Sequence, residues 1–472
     1  MSTSRKAAAC CLLAVPVALE FRAGGYFPEP RLVAGIVAWA IAIGAVATLR
    51  EPLCRSRGSW AALGGLGLLA LVTGLSVTWA PAATVAWNDF GRLVGYVGFL
   101  VAGLALLRGR FGVRALEVAI LAGAGLAALY ALAGRLLPGI VAQDVSLSAA
   151  GRIDQPLTYW NAMGALAAVG LVLAARMAAD PTRSRRAALV AAWISVPLGL
   201  TLFLTFSRGA ILTALVGLAV LLAISRTPRT ALVCGALLAL VVPACVLAAS
   251  LPAVRALEGT AASREAQGAA MAAALIVVGA AAALTVDRLR RRPEGAQFRL
   301  RAVAAGVALL AVGLALVAGF AGGAPGAEPE VGAQSGRLVS VESNRYDYWR
   351  VAGGMFVASP LLGEGSGSFR TVWRRERTVD DRALDAHSIY IETPAELGLL
   401  GLAALVLFLA GSGAMAVAAT RLDPRVAAGP AAVLAAFATH AAIDWDWEMP
   451  TLAVMALLTI AALAGLAGER QA

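Results

Sequence analysis

AALVAAWISVPLGLTLFLTFSRGAILTALVGLAVLLAI (Ala187–Ile224) decides how the chain folds, because Arg208 is the only charged residue in it. As one helix the run would be roughly 57 Å long at about 1.5 Å per residue. The hydrocarbon core of a bilayer is about 30 Å thick. The run is therefore expected to fold back as two helices. Ser207, Arg208 and Gly209 are the expected corner. The glycine relaxes the backbone, and the guanidinium reaches the interface instead of the lipid centre, where insertion would cost about 2.5–3.5 kcal/mol. Two roles compete for Arg208: a corner residue that snorkels to water, or a cation held firmly between two helix ends.

The same length arithmetic extends along the chain. Of its 472 residues, 60% are hydrophobic and 14% charged, against about 25% charged in a soluble protein. Apolar runs fall near residues 7–20, 32–49, 60–80, 93–107, 115–134, 157–175, 187–206, 209–224, 230–251, 266–286, 302–320, 397–419, 426–443 and 449–468. In lipid only helices satisfy their backbone polar groups within a segment. The expected fold is all-α, a polytopic transmembrane helix bundle of about 12–14 spans. The first run, in MSTSRKAAACCLLAVPVAL (Met1–Leu19), has the basic start of a signal peptide but no clear small-x-small cleavage site, and reads as a short first span.

The net charge of +11 has its source in arginines clustered in short loops: Arg50, Arg55 and Arg57; Arg108, Arg110 and Arg114; Arg183, Arg185 and Arg186; Arg226 and Arg229; Arg288, Arg290, Arg291 and Arg292; Arg421 and Arg425. Such loops face the cytoplasm, and the arginine-poor loops between them then face outward. The Arg208 corner and the longest hydrophilic segment, about residues 321–387, both fall outside. With no basic stripe interleaved with aromatics, nucleic acid is not an expected partner. The expected division is an N-terminal helix bundle over 1–320, a large extracytoplasmic loop over 321–387 and C-terminal membrane helices over 388–472.

Histidine is scarce: the chain has only His387 and His440. His387, in LDAHSIYIE, sits where the outer segment meets a span, and a neutral imidazole is the usual base at neutral pH. The competing reading is a boundary histidine satisfied by water. His440 and Asp444 are four residues apart and would share a helix face. A metal site with Asp446 or Glu448 is the lesser alternative. No CxxC or HExxH spacing is present, and no metal or cofactor is expected.

Ser343 or Asn344 is expected to cap a helix that Pro360 ends. On it Arg345 and Trp349 are also i, i+4, so the indole either carries a cation–π contact or braces Arg345 toward a cavity. The outer segment holds eight arginines and nine acids, so anion binding there would depend on particular arginines. Arg374, Arg375 and Arg377 read as a solvated face. GEGSGSF (Gly363–Phe369) lacks the GK[ST] ending of a nucleotide loop and has no preceding strand, which leaves a flexible turn near a substrate.

Four stretches, in order, carry a resemblance: GRIDQPLTYWNAMG (Gly151–Gly164), LTFSRGAIL (Leu204–Leu212), NRYDYWRVAGGMFVASPLLGEGSGSF (Asn344–Phe369) and HSIYIETPAELGLLGL (His387–Leu402). Together they resemble the O-antigen ligase and O-antigen polymerase superfamily of bacterial membrane glycosyltransferases, best over about residues 150–410. The family histidine is more usually followed by asparagine, here replaced by Ser388.

The resemblance implies a GT-C-like enzyme in the cytoplasmic (inner) membrane with its active site on the extracytoplasmic face. It would move a glycan from an undecaprenyl-pyrophosphate carrier to the hydroxyl of a glycan, lipid or protein acceptor, as a ligase or a polymerase. His387 would be the general base, and Arg208 and Arg345 would hold the pyrophosphate. Ser207, Trp349, Asn161, Glu396, His440 and Asp444 would support them. An inverting, metal-independent reaction follows from that arrangement. The alternative is a polysaccharide or lipid-linked glycan transporter or flippase, which predicts an internal repeat and charges near the midplane. The sequence offers neither.

Overall fold

The computed structural model of the protein describes residues 3–49, 56–144, 146–292, 333, 344–379 and 381–468. The chain falls into two compact units. One comprises Met1–Leu116, Ser343–Leu434 and Ala438–Ala472, and the other Glu117–Glu342 with Ala435–Phe437.

The helices of the first unit are α1 (Thr3–Glu20), α2 (Pro28–Thr48), α3 (Arg57–Ser76) and α4 (Ala83–Leu106). In the second unit are most of α5 (Gly109–Leu136), then α6 (Trp160–Ala179), α7 (Arg185–Leu204), α8 (Arg208–Ser225), α9 (Pro228–Ala249), the short α10 (Pro252–Ala256) and α11 (Ala261–Arg291). The chain then returns to the first unit with α12 (Arg345–Ala358), α13 (Phe369–Glu376), α14 (Ile389–Leu422), α15 (Pro424–His440) and α16 (Pro450–Ala467).

Among the described residues, eleven helices are long and apolar enough to cross a membrane by length and composition. The chain is a multi-pass helical membrane protein. Helices cover every expected apolar run except 302–320, which lies outside the described residues. α1 and α15 do not meet the spanning criterion; α15 has 17 residues. Several helices outrun their apolar cores. α4 begins at Ala83 rather than near residue 93, because the polar turn carrying Asn88, Asp89 and Arg92 is helical too.

Each unit has a helix that is apolar all round and is buried accordingly. In the second unit α6 buries its whole apolar window, and in the first α16 buries nearly all of its own. α2 and α11 expose most of theirs, as lipid-facing helices do. In the first unit α3 and α14 pack by glycine contact. A Cβ on Gly411 would fall 2.3 Å from the Ala62 nitrogen. Close backbone approach of this kind is how membrane helices associate where lipid removes the hydrophobic drive. Gly411→Ala is therefore expected to cost about 1–3 kcal/mol through overpacking, read as a lower thermal transition of the purified protein. An unchanged transition would show that the helices separate without cost.

The long run of Ala187–Ile224 does fold back, as α7 and α8. The corner differs in detail from the expectation. The left-handed residue is Phe206 (φ 50), not Gly209, which is already helical. Ser207 caps α8 by accepting from the Ala210 N–H at 3.3 Å, and Thr205 Oγ1 accepts from the Ser207 N–H. Arg208 is thus the first residue of a helix, half-buried, on a backbone held from both sides.

Candidate functional site

In the first unit, α12 supplies the frame. Asn344 precedes it, but its side chain does not cap the helix; its amide donates to Asp381 Oδ2 at 3.0 Å. Ser343, the other expected cap, lies outside the described residues. The helix stops at Ala358, just before Pro360, as expected. Tyr348 also donates its hydroxyl to Asp381. Burial works to raise the Asp381 carboxyl, but these hydrogen bonds outweigh it and hold the carboxylate below its usual range. The Tyr348 phenol is pushed up, by burial first and then by accepting company from Asp381. Trp373 packs edge-on to Tyr348 at 4.9 Å and donates its indole N–H to the Asp381 carbonyl. Tyr348, Phe369, Trp373, Val351 and Met355 form one buried cluster. Arg374 and Arg375 project from α13 into the open, in keeping with a solvated face, while Arg377 turns back to the Asp381 carbonyl at 2.7 Å.

His387 rests on this cluster, its ring 5.1 Å from that of Tyr348 and tilted by 33°. Its backbone is left-handed, with φ 57. Histidine tolerates that region better than most residues, yet a residue other than glycine there needs its surroundings to hold it. They do so on both sides. The Ala386 N–H donates to Glu392 at 2.6 Å, and the Ala386 carbonyl accepts the Trp349 indole N–H at 3.1 Å. Past the histidine, the Ile389 N–H donates to the Ala441 carbonyl. The ring itself is fixed by Nδ1, 2.9 Å from the Asp385 carbonyl. A carbonyl only accepts, so Nδ1 carries the proton and the neutral ring keeps Nε2 as its acceptor. Trp349 therefore braces the backbone beside His387.

Arg345, at the start of α12, is paired with Asp444 at 2.7 Å. The Asp444 side chain is 1% exposed and that of Arg345 26%, so the guanidinium is partly exposed. Here the structure reassigns a partner. His440 lies 2.5 Å from Asp446, both fully buried, and the charge of Asp444 acts on it as well. α15 ends at His440, and the i, i+4 rule does not extend past a helix end. Burial raises the Asp446 carboxyl, against the pull of His440.

The glycine loop 363–369 is clamped rather than flexible. Glu396 accepts from the N–H groups of Gly367 and Phe369 at 2.8 and 2.9 Å, and its carbonyl accepts from Gly365. Ser366 donates to Asp89 at 2.9 Å, and its N–H donates to Ser76. α14 breaks at Gly398 (φ 61, ψ −157), which lets the Leu399 N–H bond the Pro360 carbonyl. A Cβ at 398 would sit 2.4 Å from the Leu361 carbonyl carbon.

Sequence reasoning missed the acids around this loop. Arg92 bridges Asp89 at 3.2 Å and Glu448 at 3.3 Å. Burial pushes the Glu448 carboxyl up to about 8, with Arg92 opposing, and burial likewise raises Asp385. The signal was present in WNDFGR (Trp87–Arg92), an acid and a base three apart in an apolar helix. Among the described residues no three His, Cys, Asp or Glu side chains are grouped to hold a metal ion.

In the second unit, Arg208 and Ser207 form the α7–α8 corner described above. Asn161, on α6, donates its amide to the Tyr159 hydroxyl at 2.7 Å and is buried. The first unit thus brings His387, Trp349, Arg345, Asp444, His440 and Glu396 around α12 and the start of α14.

Residues 262–406 match the family model described as O-antigen ligase. This match covers less than half of the chain and supports a likeness to the O-antigen ligase and polymerase superfamily. The matched O-antigen ligase segment contains Arg345, Trp349, His387 and Glu396, and stops short of His440 and Asp444; Asn161, Ser207 and Arg208 lie before it. It supports an O-antigen ligase-type function in general terms. No match to a curated protein was found.

Proposed function

We propose that the protein transfers a glycan from an undecaprenyl-pyrophosphate carrier to an acceptor hydroxyl, on the outer face of the cytoplasmic membrane, in surface polysaccharide biosynthesis. The observation that carries the reading is the fixed ring of His387. With Nδ1–H given to the Asp385 carbonyl, Nε2 is the atom that takes the acceptor proton. The deprotonated hydroxyl attacks the anomeric carbon, and the bond to the pyrophosphate breaks on the opposite face, inverting that centre. A pyrophosphate leaves as a stable anion, so it needs charge stabilisation more than a general acid. The partly exposed guanidinium of Arg345 offers charge-assisted hydrogen bonds to that anion. Arg208 keeps the same role in this proposal on the strength of its place in LTFSRGAIL. Glu396 holds the glycine loop, and Trp349 holds the backbone at 386–387.

The test is a reaction of purified protein with a lipid-pyrophosphate glycan and a panel of glycan, lipid and protein acceptors. Transfer is expected, with inversion at the new linkage, and Arg208→Ala is expected to remove it without loss of the folded protein. Transfer is also expected to persist in EDTA. If EDTA stopped turnover and a divalent ion restored it, the metal-independent form of the mechanism would be wrong.

A further inference from the structure

The stretch GRIDQP (Gly151–Pro156), which the proposed transfer does not draw on, builds one wall of a cavity within the second unit. The cavity has a volume of about 180 Å³, smaller than the roughly 300–1,000 Å³ of drug-sized pockets and suited to one sugar-sized group. Its polar lining is Arg135, Arg152, Arg264, Asp154, Gln143 and Gln155. Three arginines and one carboxylate therefore line it.

The walls are rigid. Arg135, 6% exposed, donates to the carbonyls of Gly151 at 2.6 Å and of Val254 and Arg255 at 3.2 and 3.4 Å. Arg152 lies 3.5 Å over the Trp160 ring and donates to the carbonyls of Ala149 and Ser148. The Ile153 N–H donates to the Leu204 carbonyl at 3.0 Å, which ties the wall to the end of α7 beside the Arg208 corner. Carbonyls satisfy donors without cancelling charge. Among the described residues, no carboxylate lies within salt-bridge distance of Arg135 or Arg264, and the buried Nε of Arg264 has no hydrogen-bond partner. Buried guanidinium charge is costly without a counter-ion, and the planar donor fork matches a carboxylate or phosphate.

We propose that this cavity binds an oxyanion, a carboxylate or a phosphate, carried on a sugar-sized group. Two sources share that chemistry: an acidic sugar of a glycan and the headgroup phosphate of a membrane lipid. The inference stands apart from the transfer mechanism, and its test reads binding alone.

The full chain in phosphatidylcholine nanodiscs is titrated calorimetrically with glucuronate, inorganic phosphate and glucose. Glucuronate and phosphate are expected to bind and glucose is not. Arg264→Ala is expected to weaken glucuronate binding by about 10- to 100-fold, the loss of one charge-assisted hydrogen bond, with an unchanged thermal transition. Asp154→Asn removes the one lining carboxylate and is expected to tighten binding. Nanodiscs containing phosphatidylglycerol separate the sources: competition with glucuronate supports a lipid headgroup, and its absence supports a glycan acid. Equal binding of glucose, binding unaltered in Arg264→Ala, or weaker binding in Asp154→Asn would each overturn the proposal.

Discussion

His387→Ala is expected to lower glycan transfer by about 10²–10⁴-fold, the usual contribution of a positioned general base. The size of the effect follows from the way the ring is held. Nδ1 is committed to the Asp385 carbonyl, and Ala386 is tied through both its N–H and its carbonyl. Nε2 is thereby left as the one acceptor on the ring. The backbone offers a control that most histidine substitutions lack. His387 has φ 57, a conformation that glycine adopts without penalty. His387→Gly should thus lose transfer as fully as His387→Ala while its thermal transition lies at or above that of His387→Ala. A folded His387→Gly protein with near-normal turnover would remove the base from the mechanism.

The features legible in the sequence were those set by length and by helix punctuation. The fold-back at residues 204–208 followed from a run too long for one span, and α12 ended where Pro360 required. What stayed hidden depended on tertiary contact. The left-handed corner residue is Phe206, a position that local preference assigns to Gly209; Phe206 is buried, and packing outweighs the glycine's advantage. The bond from His440 to Asp446 was not legible because the helix ends at His440, beyond which helix spacing does not apply. Glu396 and the glycine loop lie 27 and 29 residues apart across the two hydrogen bonds of its carboxylate, a separation at which no periodicity speaks. Asp89 and Arg92 were visible as a charged pair in an apolar helix, but only the fold brings them to Glu448 and Ser366.

Arg345→Ala is expected to lower transfer by about 10²–10³-fold, the loss seen when one preorganised donor to a developing anion is removed. This variant alone does not distinguish binding from folding. Asp444 is 1% exposed, and removing the arginine takes an ion-pair partner from a buried carboxylate, a loss of about 3–5 kcal/mol of stability. The double variant Arg345→Ala/Asp444→Asn separates the two effects. Removing both charges spares the orphaned carboxylate, so most of the lost stability should return and the thermal transition should recover. Transfer should not return, because the donor to the pyrophosphate is still missing. Asp444→Asn by itself keeps that donor and should change transfer far less than Arg345→Ala does. If the double variant regained turnover along with stability, Arg345 would be a structural partner of Asp444, and of the two arginines only Arg208 would keep the pyrophosphate role.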